Sequence, residues 1–433
     1  MNLHKIIYKL GEKFRNPLIN FYYKQLLEND KSTIQHLEEL QLTRLKKLLT
    51  IAKNSSPYYN LLLQNIDIDS FTLNDLKNIP ILTKENLRNN LENIKTYTDT
   101  NNLIKSETSG STGNALIFYR NKEWDATHRA AQQRGYSWYN IKPWDKNIYF
   151  WGFNPSFREL IKIRFLDFLL NRYRIFSFSE KELKKSIPKI QKSSYIEGYS
   201  SAIFTLSQYM KKHKYSFDNI KMIKGTSEKI YDYYKPTIYT VYGQNFISEY
   251  GAAEAGIIAF ECPEGNMHIT MENVIVEEID NKIYVTNLFS YSLPIIRYEL
   301  GDYIVLDKEM KCKCGREHYI IKEVTGRIGK KIYGINSTYP TLTLYYIFKN
   351  IALSHNIELA YFGKQYKRGE LILEIIENKN ISSEKIDTYI TKEALKYFKN
   401  DVKIKIQIIQ KIKSKNAKNK DFESYIEDTN NEK

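Results

Sequence analysis

Cysteine is nearly missing: there are three in 433 residues, too few for the disulfide framework of a secreted domain. Long apolar runs are missing as well, and none approaches the ~18 residues a membrane-spanning helix needs. The stretch Met1 to Leu10 carries lysines but no continuous apolar segment ahead of a small-residue cleavage site. These absences point to a cytoplasmic protein. There is no internal repeat and no low-complexity linker. No helix-turn-helix signature is present, and no glycines interleave with aromatics. The net charge of +15 therefore does not make a nucleic-acid binder by itself.

What is present argues for a globular chain of more than one core. At 433 residues the prior is two domains, and a hydrophobic content of 42% suits a folded soluble chain. Lysine, asparagine, isoleucine and tyrosine are all abundant, a bias that by itself accounts for much of the basic charge. The stretch Ile6 to Leu27 mixes aromatics with Lys and Arg. That is the makeup of a peripheral membrane-contact helix, or of an amphipathic helix packed on its own domain.

Residues 1–65 read as helices, with Leu42, Leu45, Leu48, Leu49 and Ala52 at helical spacing. Thr83 reads as an N-cap after Ile79-Pro80-Ile81-Leu82. From 122 to about 245, strands and helices alternate, the pattern of an α/β layer with parallel strands. From Met267 to Leu306 the pattern turns to β. Beyond 326 comes a small α+β region: helix at 339–354, extended segments at 358–363 and 370–376, helix at 383–399 and a strand at 402–409. The tail after Asp421 is polar and reads as frayed. The fold class is thus α/β, with a large N-terminal domain (1–326) of mixed and parallel sheets and a β-rich subdomain. A small C-terminal α+β domain (331–433) follows.

Thr108-Ser109-Gly110-Ser111-Thr112-Gly113 packs four hydroxyls and two glycines into six residues, between segments that read as strands. Glycines let backbone N–H groups turn inward and the hydroxyls add donors, so such a loop suits polyphosphate oxygens. It lacks the Gly-Lys-Ser/Thr ending of a Walker A loop. Alone, such a composition more often marks a plain surface loop. Cys262, His268, Cys312 and Cys314 supply three sulfurs and one nitrogen, a closed structural zinc set. His318 is a rival for His268, and buried free thiols are the alternative.

Further motifs follow the hydroxyl loop in order: Gly225-Thr226-Ser227-Glu228, Tyr250-Gly251-Ala252-Ala253-Glu254, Arg297-Tyr298-Glu299-Leu300-Gly301-Asp302 and Gly326-Arg327-Ile328-Gly329-Lys330. In that order they resemble the core motifs of adenylate-forming enzymes, and most closely the phenylacetate–CoA ligase-like family with its CapK group. The resemblance covers nearly the whole chain. It implies an ATP-dependent ligase that activates a carboxylic acid as an acyl-adenylate. The acyl group then passes to an acceptor, coenzyme A or another, with a role in capsular or surface polysaccharide biosynthesis.

The resemblance also assigns residues. Thr108 to Gly113 would hold the pyrophosphate oxygens, and Ser227 and Glu228 would lie in the turn against the adenine. Tyr250 and Gly251 would face the adenine as well. Asp302 would accept hydrogen bonds from the ribose hydroxyls, a planar acceptor matched to a cis-diol. Glu254 would bind Mg²⁺, and Arg327, in the hinge motif at the domain boundary, would face the ribose or the phosphates. Without the resemblance, Glu254 reads as an exposed turn residue and the Gly301-Asp302 pair as a β-turn. The family's catalytic lysine matches Lys418, with Lys415 and Lys420 close by. Relatives have Ser or Thr where Ala253 stands, and Ser-Gly-Lys where Asn416-Ala417-Lys418 stands. These departures favour an alternative: a catalytically degenerate nucleotide-binding partner in a biosynthetic assembly.

Overall fold

The computed structural model describes residues 3–108, 116–150, 157–176, 180–227, 230, 232–326, 331–355, 357, 359, 361–377, 381–409 and 422–426. Among them, no helix is long and apolar enough to cross a membrane. The described chain divides into two compact units: the larger holds the described residues of 3–107, 117–150 and 161–326, and the smaller holds 108, 116, 157–160 and the described residues from 331 on.

The large unit begins with helices Leu3–Arg15, Leu18–Glu28 and Ile34–Ser55. The third starts where the Thr33 side chain accepts from the His36 N–H. It buries Leu45, Leu48, Leu49 and Ala52, as their spacing predicts, and Leu37 as well, while Leu42 is only half-buried. Gln41, on the same face, donates to the Val274 carbonyl at 2.8 Å and so ties this helix to the β-rich part of the chain. The Thr83 hydroxyl caps helix Lys84–Asn89 by accepting from Asn86 N–H at 3.1 Å, as its position predicts.

One sheet of eleven strands dominates the described part of this unit. Its parallel half runs Arg172–Arg174, Asn147–Phe150, Tyr195–Tyr199, Met222–Thr226, Phe246–Ala252. Phe246–Ala252 then pairs antiparallel with Gly256–Glu261. From there the strands Met267–Ile269, Ile320–Gly326, Tyr298–Asp307, Lys282–Asn287 and Val274–Ile279 continue antiparallel. Phe246–Ala252 is therefore the joint between a parallel and an antiparallel half. Helices Ser200–Lys212 and Lys235–Tyr242 pack on the parallel half through Ile203, Leu206, Met210, Ile238 and Val241.

The antiparallel half does not lie flat. Tyr298–Asp307 is four strand intervals away from Phe246–Ala252, about 19 Å at the usual ladder spacing. Yet Tyr250 and Asp302 are joined by a hydrogen bond of 2.8 Å, and Tyr298 reaches Glu254 at 3.1 Å. The sheet must curl back on itself to bring these side chains together.

The strand before Ser227 is Met222–Thr226, so the motif's Gly225 and Thr226 lie on the strand and Ser227 follows its end. Gly225 serves close packing: a Cβ there would come within 2.4 Å of the Ser200 hydroxyl oxygen. Asn219 stays outside the strand, its amide donating to the carbonyls of Ile190 and Ser193.

The small unit carries a four-stranded sheet in the order Lys403–Ile409, Glu370–Ile376, Tyr361–Lys367, Phe422–Ser424. Leu371, Leu373 and Ile375 alternate into a core shared with helices Leu342–His355 and Ser383–Phe398. Each such burial contributes roughly 1.5–3 kcal/mol. Thr338–Pro340 is a short strand paired with Lys331–Tyr333, so the helix expected over 339–354 starts later, at Leu342. Within the tail expected to fray, residues 422–426 are described and hold a strand. Phe422–Ser424 pairs parallel with Tyr361–Lys367, and Phe422 is buried in the core. One aromatic outweighs the polar composition around it.

Candidate functional site

Two of the motif segments lie at the carboxyl ends of neighbouring parallel strands. Tyr199 and Thr226 are paired residues at the ends of their strands, and Tyr250 lies near the end of the next. Ligands of open α/β sheets bind at such edges. Gly198 has φ +145°, and a Cβ there would meet the Phe150 carbonyl oxygen at 2.2 Å, so only glycine fits. Ser227 follows with φ +65° and turns the chain sharply at this edge.

The hydroxyl-rich loop is carried by an antiparallel hairpin. Ile104–Glu107 pairs with Ile117–Arg120 in register Glu107↔Ile117. Thr108 closes its base: its hydroxyl oxygen accepts from Leu116 N–H at 2.9 Å, and its own N–H donates to the Leu116 carbonyl at 3.0 Å. Thr108 is buried and therefore holds the loop's neck. Ser109, Gly110, Ser111, Thr112 and Gly113 lie outside the described residues. So do Glu228, Arg327, Lys330, Lys415, Lys418 and Lys420.

Asp302 is not in a β-turn. It lies within the strand Tyr298–Asp307, on a bulge. Glu299 pairs with Tyr284 and Tyr303 with Lys282, so Leu300, Gly301 and Asp302 together face the single residue Ile283. Gly301, at φ +80°, makes this crowding possible. A bulge re-aims side chains, and here the Asp302 carboxylate accepts from the Tyr250 hydroxyl. Glu254 is buried, its carboxylate accepting from the Tyr298 hydroxyl and its carbonyl from the Asn287 amide at 3.1 Å. A solvent-exposed turn position is thereby excluded for it.

Sequence reasoning missed three neighbours of this cluster: Tyr298, Asn287 and Arg120. Tyr298 stood inside a quoted motif, but its partner could not be read. Arg120 ends the strand behind the hydroxyl loop. Its guanidinium donates to the Ala253 carbonyl and lies 5.4 Å from the Trp124 ring centre and 5.7 Å from that of Phe118. Burial pushes its pKa down to about 10, against the pull of the Asp125 and Glu254 carboxylates, so it stays a cation at neutral pH. Arg297, by contrast, is used up structurally. It bonds Glu277 at 2.8–3.1 Å and the carbonyls of Lys77 and Ile79 at 2.8 and 2.6 Å. It thereby pins the lead-in segment, whose Leu82 forms a bridge with Tyr298.

Cys262, His268, Cys312 and Cys314 come together with their ligand atoms all within 4.8 Å of one another. The Cys262 and Cys312 sulfurs are 3.7 Å apart, and Cys314 Sγ is 3.2 Å from His268 Nε2. Zinc–sulfur bonds of ~2.3 Å in a tetrahedron give sulfur–sulfur edges of about 3.8 Å, so the cage fits. His268 Nδ1 donates to the His318 carbonyl, which leaves Nε2 as the ligand atom. Burial pushes the His268 pKa down to about 4 and favours the neutral form a metal needs. His318 is not a rival. Its Nε2 pairs with buried Glu272 at 3.1 Å, which also takes Arg134 at 2.5 Å. Gly315, at φ +81°, turns the Cys312–Cys314 knuckle.

This fold is shared with solved structures of an acyl-CoA ligase. No family model matches the chain. Among curated proteins it is similar to protein CapK of Staphylococcus aureus, 24% identical over 315 residues, 67% of this chain and 68% of that one. Among solved structures it resembles 2-hydroxyisobutyryl-CoA ligase in complex with 2-HIB-AMP and CoA. The TM-score is 0.62 at 15% identity, over 92% of this chain and 91% of that one. The same ligase in its postadenylation state gives a TM-score of 0.57 at 14% identity, over 92% and 90% of the two chains.

Proposed function

We propose that the protein is an ATP-dependent acyl-activating ligase. A carboxylate oxygen of a small acid attacks the α-phosphorus of ATP, and the bond to pyrophosphate breaks as the acyl-phosphate bond forms. An acceptor thiol, amine or hydroxyl then takes the acyl group and AMP leaves. Two anions must meet in the first step, so the site has to neutralise charge and align the partners.

The observation that carries this reading is the Tyr250–Asp302 contact beside buried Glu254. It sets an aromatic ring, a ribose-matched carboxylate and a candidate Mg²⁺ ligand at one edge. Asp302 would take the ribose hydroxyls and Tyr250 the adenine. Glu254 would hold Mg²⁺, which supplies positive charge at the phosphates. The loop 108–113 would hold pyrophosphate, Arg120 would steady the turn that bears Glu254, and Lys418 would bring a cation to the α-phosphate. The Cys262–His268–Cys312–Cys314 cage would hold a structural zinc, since four protein ligands leave no open position. The CoA-bound relative supports coenzyme A as acceptor, and the similarity to CapK supports a role in capsular polysaccharide biosynthesis.

Pyrophosphate release measured across a panel of carboxylic acids tests the proposal. Acid-dependent release is the expected outcome. ATP·Mg²⁺ binding with no release for any acid would instead favour the degenerate nucleotide-binding partner.

A further inference from the structure

Two helices of the large unit turn apolar side chains outward. On Leu3–Arg15, Leu3, Leu10 and Phe14 are exposed at spacings of seven and four, one stripe of a helix, with Phe14 86% exposed. Its opposite face is anchored: Glu12 is buried and accepts from Gln133 at 2.7 Å. On helix Phe157–Leu169, Ile161, Phe165 and Phe168 repeat at i, i+4 and i+7, exposed by 58%, 61% and 59%. Asp167 on that helix is buried and paired with Arg174. The rings of His4 and Phe168 meet at 5.8 Å, which sets the two helices side by side.

Such a surface needs a cover. The charge around it identifies one. On helix Leu3–Arg15, Lys5 and Lys9 lie over the Trp144 ring, Lys9 also pairs with Glu12 and Arg15 with Asp125, while Lys13 is exposed beside the stripe. Lys162 is exposed between the apolar residues of the other helix. A second copy of the chain would bring the same cations face to face, in a molecule already at +15. An anionic surface would be drawn to them, and a lipid bilayer also takes the apolar stripe into its headgroup boundary.

We infer that this two-helix face docks the protein on an anionic lipid bilayer, with Phe14 and Phe165 entering the interface and Lys13 and Lys162 facing the headgroups. The inference is independent of the ligase reading, because none of these residues belongs to the nucleotide site.

The test is vesicle flotation of the purified full chain. Equimolar phosphatidylcholine and phosphatidylglycerol vesicles should carry it, pure phosphatidylcholine vesicles much less, and high salt should weaken the binding. The charge-neutral double variant Phe14→Ser/Phe165→Ser should lower the partition coefficient about tenfold or more, with an unchanged circular dichroism spectrum and melting temperature. No binding to the anionic vesicles at low salt would overturn the inference, as would full binding by the double variant. So would a dimer in sedimentation equilibrium that the double variant breaks, since a second copy would then be the cover. Should the double variant fail to fold, Phe14→Trp serves in its place. Its added emission should shift blue and resist acrylamide quenching on anionic vesicles, and an unshifted spectrum would equally overturn the inference.

Discussion

Asp302 and Arg297 lie five residues apart in one quoted motif, yet the structure gives them opposite work. Asp302 is half-buried on a bulge and faces Tyr250. Asp302→Ala should weaken ATP binding by on the order of 1.5–3 kcal/mol, the worth of hydrogen bonds to a charged group, and leave the fold intact. Calorimetric titration with ATP checks this; unchanged affinity in a folded variant removes Asp302 from the site. Arg297 is buried and fully engaged with Glu277 and two carbonyls. Arg297→Met should therefore lower unfolding stability by about 3–5 kcal/mol, because it strands Glu277 and frees the lead-in segment. A urea melt reads that loss. If the melt is unchanged while ATP affinity falls, Arg297 is a ligand residue after all. Residue types at motif positions were legible in the sequence. Partners were not: nothing in the spacing of Arg120 or Tyr298 says which backbone or carboxylate each will meet, because those contacts span more than forty residues.

Among the elements, helices were the easier to read. Their apolar period is local, and caps such as Thr33 and Thr83 announce their starts. Strand ends were harder, since a glycine marks a turn in one place and close packing in another, as Gly225 does. The bulge at Leu300–Asp302 could not be read either, because it exists only relative to the partner strand. The Cys/His knuckle was legible as a ligand set, but the choice of His268 over His318 needed the structure. Native protein prepared without chelator should contain about one zinc per chain, and Cys312→Ser should lose it. Stripping the metal should lower the melting temperature by roughly 5 °C or more, with no open coordination position gained. Elemental analysis decides: three freely titratable thiols and no zinc in the native chain would remove the site.

For the whole molecule, the alternation of strands and helices from 122 to 245 revealed the parallel half, and the β pattern after Met267 the antiparallel half. The curl that joins Tyr250 to Asp302 was not legible, because period-two patterning specifies a face and not a curvature. The C-terminal lysine is argued from resemblance. Lys418→Ala should reduce adenylate formation roughly 100- to 1,000-fold, the scale of losing one charge-stabilising group. Transfer from a supplied acyl-adenylate should stay nearly normal, and Lys415→Ala and Lys420→Ala should change little. A stopped-time assay of pyrophosphate release separates the three lysines, and equal activity in all of them ends the case for a catalytic lysine there.

The curl has a consequence for how a nucleotide gets in. Phe246–Ala252 and Tyr298–Asp307 approach each other without being laddered together. What spans the gap is a seam of side chains, Tyr250 to Asp302 and Tyr298 to Glu254. A seam of this kind can part at the cost of a few side-chain hydrogen bonds, each worth about 0.5–1.5 kcal/mol, while every backbone ladder on either side stays closed. The groups that part are those that would then grip the base and ribose. The curled half could thus be unlatched by its own ligand.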